Sequence, residues 1–400
     1  MPAVPSAPEW PLVRLASDEI ARGPWVYARN VEASRELEDG ALVEVRDASE
    51  RFVGHALYNS ASDIRLRWLS RGRRNALDRP ADFLQARLRA ADDLRRRTLR
   101  LEEATNAYRV CHAEGDDLSG LIVDRLGDVL VCELHALGFL RLLPEIEDAL
   151  ERLYPGYARV VRVPDGAARA EGIAPRDLPA GREIEERWID EHGLVFPVLA
   201  AGGHKTGWFC DQRDNRLRVG ALARGRSVLD LFCNAGGFAL SCARSGARSV
   251  RAVDLDEKAL ERAQRAGGAN QLSVDWVHAD AFDVLRSVTD APENERPELV
   301  ICDPHKLIPS RAQLEAGRRK YLDLYTLALR ATRGGGILVG FSCSGSLALE
   351  AFLGMLFAAA RRAERSVRLL SLLEAAPDHP QRPDWPRSRY LKGAVLALDR

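Results

Sequence analysis

Val228-Leu229-Asp230-Leu231-Phe232, followed by Asn234-Ala235-Gly236-Gly237-Phe238, decides the fold: an apolar strand runs into a glycine turn that opens a helix. The paired glycines lie where backbone must come close to a ligand, and the absence of GxGxxG spacing argues against a dinucleotide. Outward from this turn apolar runs alternate with amphipathic stretches: Val250 to Asp254, Glu257 to Ala266, Val274 to His278, Leu299 to Asp303, Tyr321 to Ala331 and Gly336 to Phe341. That alternation predicts an α/β fold with a doubly wound, mostly parallel sheet. Acids end three successive strands, with Asp254 placed 24 residues beyond Asp230, and then Asp280 in His278-Ala279-Asp280-Ala281-Phe282. Each acid alone also fits a cap on the following helix, but their joint spacing fits a nucleoside cofactor.

Two further strand ends carry chemistry. Ile301-Cys302-Asp303-Pro304-His305-Lys306 offers a carboxylate and Phe341-Ser342-Cys343-Ser344-Gly345 a thiol, each behind an apolar run of the kind that forms a buried parallel strand. The carboxyl ends of such strands line the ligand crevice of open sheets, so an acid and a nucleophile are expected to face one substrate. Serines and a glycine around Cys343 predict an open polar turn, whereas Cys302 lies in an apolar strand and Cys233 in the glycine turn. The seven cysteines lack CxxC spacing, which predicts reduced thiols and no metal.

With 400 residues, 46% hydrophobic and 29% charged, the chain reads as two or three globular domains. Its amino terminus carries neither a signal-type stretch nor a membrane-length apolar run, so a cytoplasmic location is expected. A formal charge of zero removes any net-charge argument for a polyanionic partner. Only Lys205, Lys258, Lys306, Lys320 and Lys392 supply lysine among 58 basic residues, an excess of arginine that fits GC-rich codon usage. Residues 1–75 read as a β-rich domain, 76–190 as a central α+β domain and 191–400 as the doubly wound domain. Ala81 to Glu103, with Arg95-Arg96-Arg97, predicts an amphipathic helix whose basic face is either solvated or laid on an RNA backbone. Ala167 to Arg182 reads as a surface loop.

The three strand-end acids resemble those of the class I S-adenosylmethionine methyltransferases. Within that group the segment Gly203-His204-Lys205-Thr206-Gly207-Trp208-Phe209-Cys210-Asp211-Gln212-Arg213-Asp214-Asn215-Arg216, the Asp303 and Cys343 strand ends, and Tyr390-Leu391-Lys392-Gly393 resemble the bacterial 23S ribosomal RNA cytosine-5 methyltransferases. In that family a PUA domain and a central EEHD domain precede the methyltransferase, and the stretch from His112 to Arg125 is similar to the central one. The resemblance implies S-adenosyl-L-methionine as cofactor and structured RNA, 23S ribosomal RNA, as partner. It implies no membrane, and a homodimer stays open. On the cofactor it places Lys205, Gln212 and Arg213 from the leading segment, Asp230, Phe232, Asn234, Gly236 and Gly237 from the first strand and turn, Asp254 and Leu255 from the second strand, and Asp280 and Ala281 from the third.

Carbon 5 of cytosine is a poor nucleophile until a thiolate adds to carbon 6, the role the resemblance implies for Cys343. Asp303 would accept a hydrogen bond from the base, with His305 and Lys306 completing the catalytic set. Lys306 also stands where amino-group methyltransferases carry a stacking aromatic residue, which argues against N-methylation of a purine. Two positions depart from the family: His305 replaces the second proline of DPPK, and Arg387 replaces the glutamate of PExxYLK. If that glutamate takes the carbon-5 proton, His305, Asp378 or His379 must substitute. The departures leave open a different nucleic-acid or small-molecule acceptor, or an RNA-binding protein that has lost turnover.

Overall fold

The structure, a computed structural model, describes residues 9–20, 22–32, 37–179, 184–200, 206–308 and 311–400. The chain divides into two compact units. The first comprises Met1–Arg187, Leu199–Trp208 and Asp378–Ser388; the second comprises Trp188–Val198, Phe209–Pro377 and Arg389–Arg400.

In the first unit, β1 (Leu12–Arg14), β2 (Trp25–Tyr27), β3 (Leu42–Arg46), β4 (Phe52–Tyr58) and β5 (Ile64–Arg71) form a sheet of order β1-β3-β4-β5-β2. Alternating residues such as Val43, Val45, Leu66 and Trp68 fill its core. α1 (Pro80–Asp93) begins on a proline, which fits a first helical turn because its missing N–H would be unpaired there. The single helix expected to Glu103 is corrected here: α1 gives way to a wide π turn over Leu94–Thr98, and Arg100 turns left-handed at φ 52°.

The reading of Arg95-Arg96-Arg97 as one basic face is corrected as well. Arg95 is fully buried and grips Asp116 through two bonds of 2.6 and 2.8 Å, Arg96 pairs with Glu102, and Arg97 remains largely exposed. Burial of a guanidinium demands such a partner. A second sheet, of order β6-β7-β8-β9, joins β6 (Ala107–His112), β7 (Leu121–Leu126), β8 (Val129–Leu134) and β9 (Ala158–Arg162). α2 (Leu137–Arg141) and α3 (Leu143–Leu153) precede β9, and α3 packs on α1.

Part of the expected surface loop is instead the short helix α4 (Asp165–Glu171), closed by Gly172 at φ 67°. The helix carries Glu171 into the interior, where its carboxylate accepts hydrogen bonds from Asn59, Ser62, Arg67 and the Leu137 amide. Five-stranded and four-stranded parts thus share one buried acid.

The second unit opens with the hairpin β10 (Arg187–Glu191) and β11 (Leu194–Val198), then α5 (Arg213–Leu222). There follow β12 (Ser227–Leu231), α6 (Gly237–Arg244), β13 (Ser249–Asp254), α7 (Glu257–Ala269), β14 (Asp275–His278) and α8 (Ala281–Asp290). The second half contains β15 (Leu299–Cys302), α9 (Leu314–Ala331), β16 (Ile337–Ser342), α10 (Leu349–Arg362), β17 (Val367–Leu373) and β18 (Lys392–Leu398). The sheet order is β14-β13-β12-β15-β16-β18-β17, with β18 antiparallel to both neighbours and the other pairs parallel.

Apolar clusters cover both faces. Leu229, Leu231, Val300 and Leu338 pack toward Tyr321, Leu324 and Leu356, while Val228, Ile301, Val339 and Phe341 pack toward Val219, Phe238 and Ala239. Chain order reverses between β12 and β15, and a crevice is expected at their carboxyl ends. No helix among the described residues is long and apolar enough to cross a membrane.

Candidate active site

The turn after β12 is forced by its backbone. Phe232, Asn234 and Gly236 all adopt positive φ (62°, 48° and 80°), and a Cβ on Gly236 would lie 2.5 Å from the Trp276 ring. Such strain persists where the surroundings hold it, often around a ligand. Gly236 caps α6, so the helix N-terminus and its partial positive charge open at this turn. Asp254, at the end of β13, takes the Asn234 amide at 2.7 Å and the Asp256 amide at 2.9 Å, tying the second strand end to the first. Asp280 caps α8 through the amides of Phe282 and Asp283, and Ala281 is buried behind it. Leu255 is exposed, its carbonyl 3.0 Å from His278 Nε2.

Asp230 carries the strongest polar signal. It is fully buried, and neither carboxylate oxygen meets a hydrogen-bond partner among the described residues. Burial first, and then the neighbouring Asp303 charge, push its pKa well above the carboxylate range; only the Ala239 amide, outside hydrogen-bonding geometry, pulls the other way. An orphaned buried acid beside a glycine cradle fits a ligand that brings a positive group and hydrogen-bond donors. S-adenosylmethionine has an ammonium, a sulfonium and ribose hydroxyls, so the residues present fit it. Asp230 and the glycine turn would hold its amino-acid end, and Asp254 its ribose.

The leading segment supplies the acid's positioning. Gln212, buried at the entrance to α5, donates from Nε2 to Asp303 Oδ2 at 2.9 Å, while its Oε1 accepts from Asn215 at 2.7 Å. Gln212 therefore orients the carboxylate at the end of β15. Arg213 is buried and bonds Asp214 at 3.0 Å. Lys205, also expected at the cofactor, lies outside the described residues.

Cys343 follows β16 and is only partly buried, while the other six cysteines are buried. Burial raises the thiols of Cys233, Cys242 and Cys302 above their ordinary value, which keeps them protonated. The turn around Cys343 is pinned by hydroxyls: Ser342 donates to Tyr321 Oη at 3.0 Å, Tyr321 and Ser344 hydroxyls bond at 3.2 Å, and the Ile308 amide donates to Ser344 Oγ at 3.3 Å. One hydroxyl chain thus fastens the thiol turn to the loop after Asp303. His305 and Lys306 are exposed on that loop, with the His305 ring 6.5 Å from Phe232.

Sequence reasoning gave no role to Lys392, which the structure puts beside the thiol turn. Its ammonium is buried and donates to the Ser344 and Tyr390 carbonyls at 2.9 and 2.7 Å. Burial holds its pKa down to about 8, opposed by attraction to Cys343 and assisted by the charge of Lys306. The Lys392 ammonium thus sits on the Ser344 carbonyl, one residue beyond Cys343, and the Lys392 and Cys343 side chains attract electrostatically. Tyr321 was also missed, since nothing near it in the chain signals its hydroxyl partners. Asp378 and His379, two of the three candidate proton acceptors, are buried in the first unit, where Asp378 takes the Arg109 amide at 2.9 Å and His379 lies against His112. Arg387 belongs there too, donating to Tyr27 Oη at 2.8 Å.

A family profile described as S-adenosylmethionine-dependent methyltransferase matches residues 169–391, more than half of the chain. The chain belongs to this family. A PUA-like domain profile matches residues 16–71 of this methyltransferase. It is 33% identical over 389 residues to a ribosomal RNA large subunit methyltransferase I of Shewanella denitrificans, covering 94% of the chain and 96% of that relative. A protein of the same name from Erwinia tasmaniensis is 34% identical over 384 residues, covering 94% and 95%. Among solved structures, a candidate S-adenosylmethionine-dependent methyltransferase from Streptococcus mutans superposes with a TM-score of 0.79 at 18% identity, covering 97% of this chain and all of that one. The methyltransferase therefore shares that fold along nearly its whole length.

Proposed function

We propose that this methyltransferase transfers a methyl group to carbon 5 of a cytosine in large-subunit (23S) ribosomal RNA, using Cys343 as nucleophile. The observation that carries the reading is that Cys343, alone of seven cysteines in not being buried, stands at a strand end beside a buried lysine and is fastened to the loop that follows Asp303. The names of the relatives supply the ribosomal RNA, and the PUA-like match supports an RNA-docking part at the amino end. S-adenosylmethionine supplies an electrophilic methyl group.

The protein's own groups divide the remaining work. Cys343 Sγ, attacking as the thiolate next to the Lys392 cation, adds to carbon 6, and the electron pair of the 5,6 double bond becomes available at carbon 5. Asp303, oriented by Gln212, accepts a hydrogen bond from the exocyclic amine or the protonated ring nitrogen, which stabilises the electron-rich ring. After transfer, a base takes the carbon-5 proton, the double bond re-forms and the Cys343 bond to carbon 6 breaks. His305 is the proposed base, because it lies on the exposed loop two residues beyond Asp303, whereas Asp378 already accepts the Arg109 amide and His379 packs on His112. Activity unchanged in His305→Pro would remove it from that role. The expected domains are residues 1–75, 76–190 and 191–400, in a protein working in the cytoplasm with its RNA.

The test uses large-subunit RNA containing 5-fluorocytidine, which has no carbon-5 proton to lose and so retains the protein. The parent is expected to form a complex that survives denaturation, and Cys343→Ala is expected to form none. A trapped complex that persists in Cys343→Ala, or methyl label found only in small molecules, would overturn the reading.

A further inference from the structure

The loop after β15 runs against the start of α9, and Gly317 permits the approach: a Cβ there would lie 2.4 Å from Ile308 Cγ1 and 2.5 Å from the Leu307 carbonyl. Between loop and helix opens a cavity of about 210 Å³, lined by His305, Lys306 and Leu307 on one side and by Gln313, Ala316, Gly317 and Lys320 on the other. The helical residues fall at i, i+3, i+4 and i+7, so they form one face of α9. Gln313 is the N-cap of α9, and Ala316 and Gly317 belong to its first turn, where the helix terminus carries partial positive charge.

The charge lining this cavity is one-sided. Two of the chain's five lysines converge on it, neither with an ion-pair partner among the described residues, and no acid is in its wall. The nearest acid on the helix, Glu315, turns instead to Arg318. Some exposed cations elsewhere on this unit are held by acids, as Arg248 is by Glu298, Arg251 by Asp275 and Arg362 by Asp323. Others, Arg218, Lys258 and Arg319 among them, have no ion pair among the described residues, so what sets Lys306 and Lys320 apart is their convergence on one cavity. The cavity also adjoins the chemistry, because His305 lies two residues beyond Asp303 and the Lys306 charge reaches Lys392. Its size admits a phosphodiester group, and lysine binds phosphate as a mobile point charge.

We propose that this cavity binds a backbone phosphate of the acceptor RNA next to the target nucleotide, with Lys306 and Lys320 as its cations and His305 and Gln313 as further hydrogen-bonding groups. The assignment rests on the reading of the acceptor as RNA. It gives His305 a place in the wall of a phosphate site, where a proline would offer no donor. Phosphate contacts fix register without reading sequence, so the cavity would set which nucleotide reaches Cys343.

A base-free probe separates this inference from the cytosine reading. Binding of an abasic ribose-phosphate oligomer is measured for the parent, for Lys320→Gln and for Lys258→Gln, whose lysine is exposed on α7, over a range of salt. Loss of one phosphate contact is expected to weaken binding by Lys320→Gln about tenfold and to lower the slope of log affinity against log salt by about 0.7. Lys258→Gln should match the parent. With cytosine-containing RNA, Lys320→Gln should raise KM and leave both kcat and S-adenosylmethionine affinity near those of the parent. Equal binding and equal slope in the parent and Lys320→Gln would overturn the site, and so would an equal loss in Lys258→Gln, which would mark general electrostatics. The 5-fluorocytidine adduct does not depend on Lys320, so its absence would sink the cytosine reading alone.

Discussion

At the residue scale, Asp230 sets stability against binding. A buried polar group left without a partner costs about 1–3 kcal/mol, and a carboxylate held above its ordinary pKa contributes stability at low pH that is lost as pH rises through the folded value. Asp230→Asn is therefore expected to raise the melting temperature of the ligand-free protein at neutral pH while weakening S-adenosylmethionine about tenfold or more, as calorimetry can read. Lys392 behaves in the opposite pH range. Its folded pKa of about 8 lies below the usual 10.5, so between those values the unfolded chain binds more protons and stability rises with pH. Buried thiols lower stability above about pH 9 in both proteins, so the Lys392 contribution is read as a difference: the urea midpoint of the parent minus that of Lys392→Met should be larger near pH 10 than near pH 7.5. The same variant should also need a higher pH for Cys343 to be alkylated by iodoacetamide, with Cys343→Ala as blank.

At the scale of elements, the strand–turn–helix around Gly236 was legible because each part obeys local rules: apolar strand, glycine at positive φ, helix cap. Gly236→Ala places a Cβ against Trp276 and strains the backbone, and about 1–3 kcal/mol of destabilisation is expected in urea unfolding, together with loss of cofactor binding. The strand ends bearing Asp230, Asp254, Asp303 and Cys343 were legible for the same reason. Their fastenings were not. Gln212 on Asp303, the Ser342–Tyr321–Ser344 chain and the burial of Lys392 all join residues far apart in sequence, so no local pattern announces them. The helix expected through Glu103 failed on a related point, since periodicity shows where apolar residues recur but not that Arg95 would find Asp116 and turn inward.

At the scale of the whole molecule, the first unit is organised around buried ion pairs. Arg95 holds Asp116 and reaches the Asp378 carbonyl at 2.6 Å, Arg109 holds Asp124 at 2.7 and 2.9 Å, and the Asp378 carboxylate takes the Arg109 amide. Truncating one member of a buried pair costs about 3–5 kcal/mol because the other charge stays buried. Arg95→Ala should cost that much in urea unfolding, whereas exposed Arg97→Ala should change stability by less than about 0.5 kcal/mol. Patterning along a chain has no means of showing that a late segment, Asp378–Ser388, packs with an early one, so that return was not legible in the sequence.

That return has a consequence for timing. A ribosome delivers Asp378–Ser388 well after residues 1–187, so the unit begun first cannot close its ion-pair core until a segment made much later has emerged and returned to it. A chain halted before that segment would leave Arg95 and Arg109 without their contacts to Asp378.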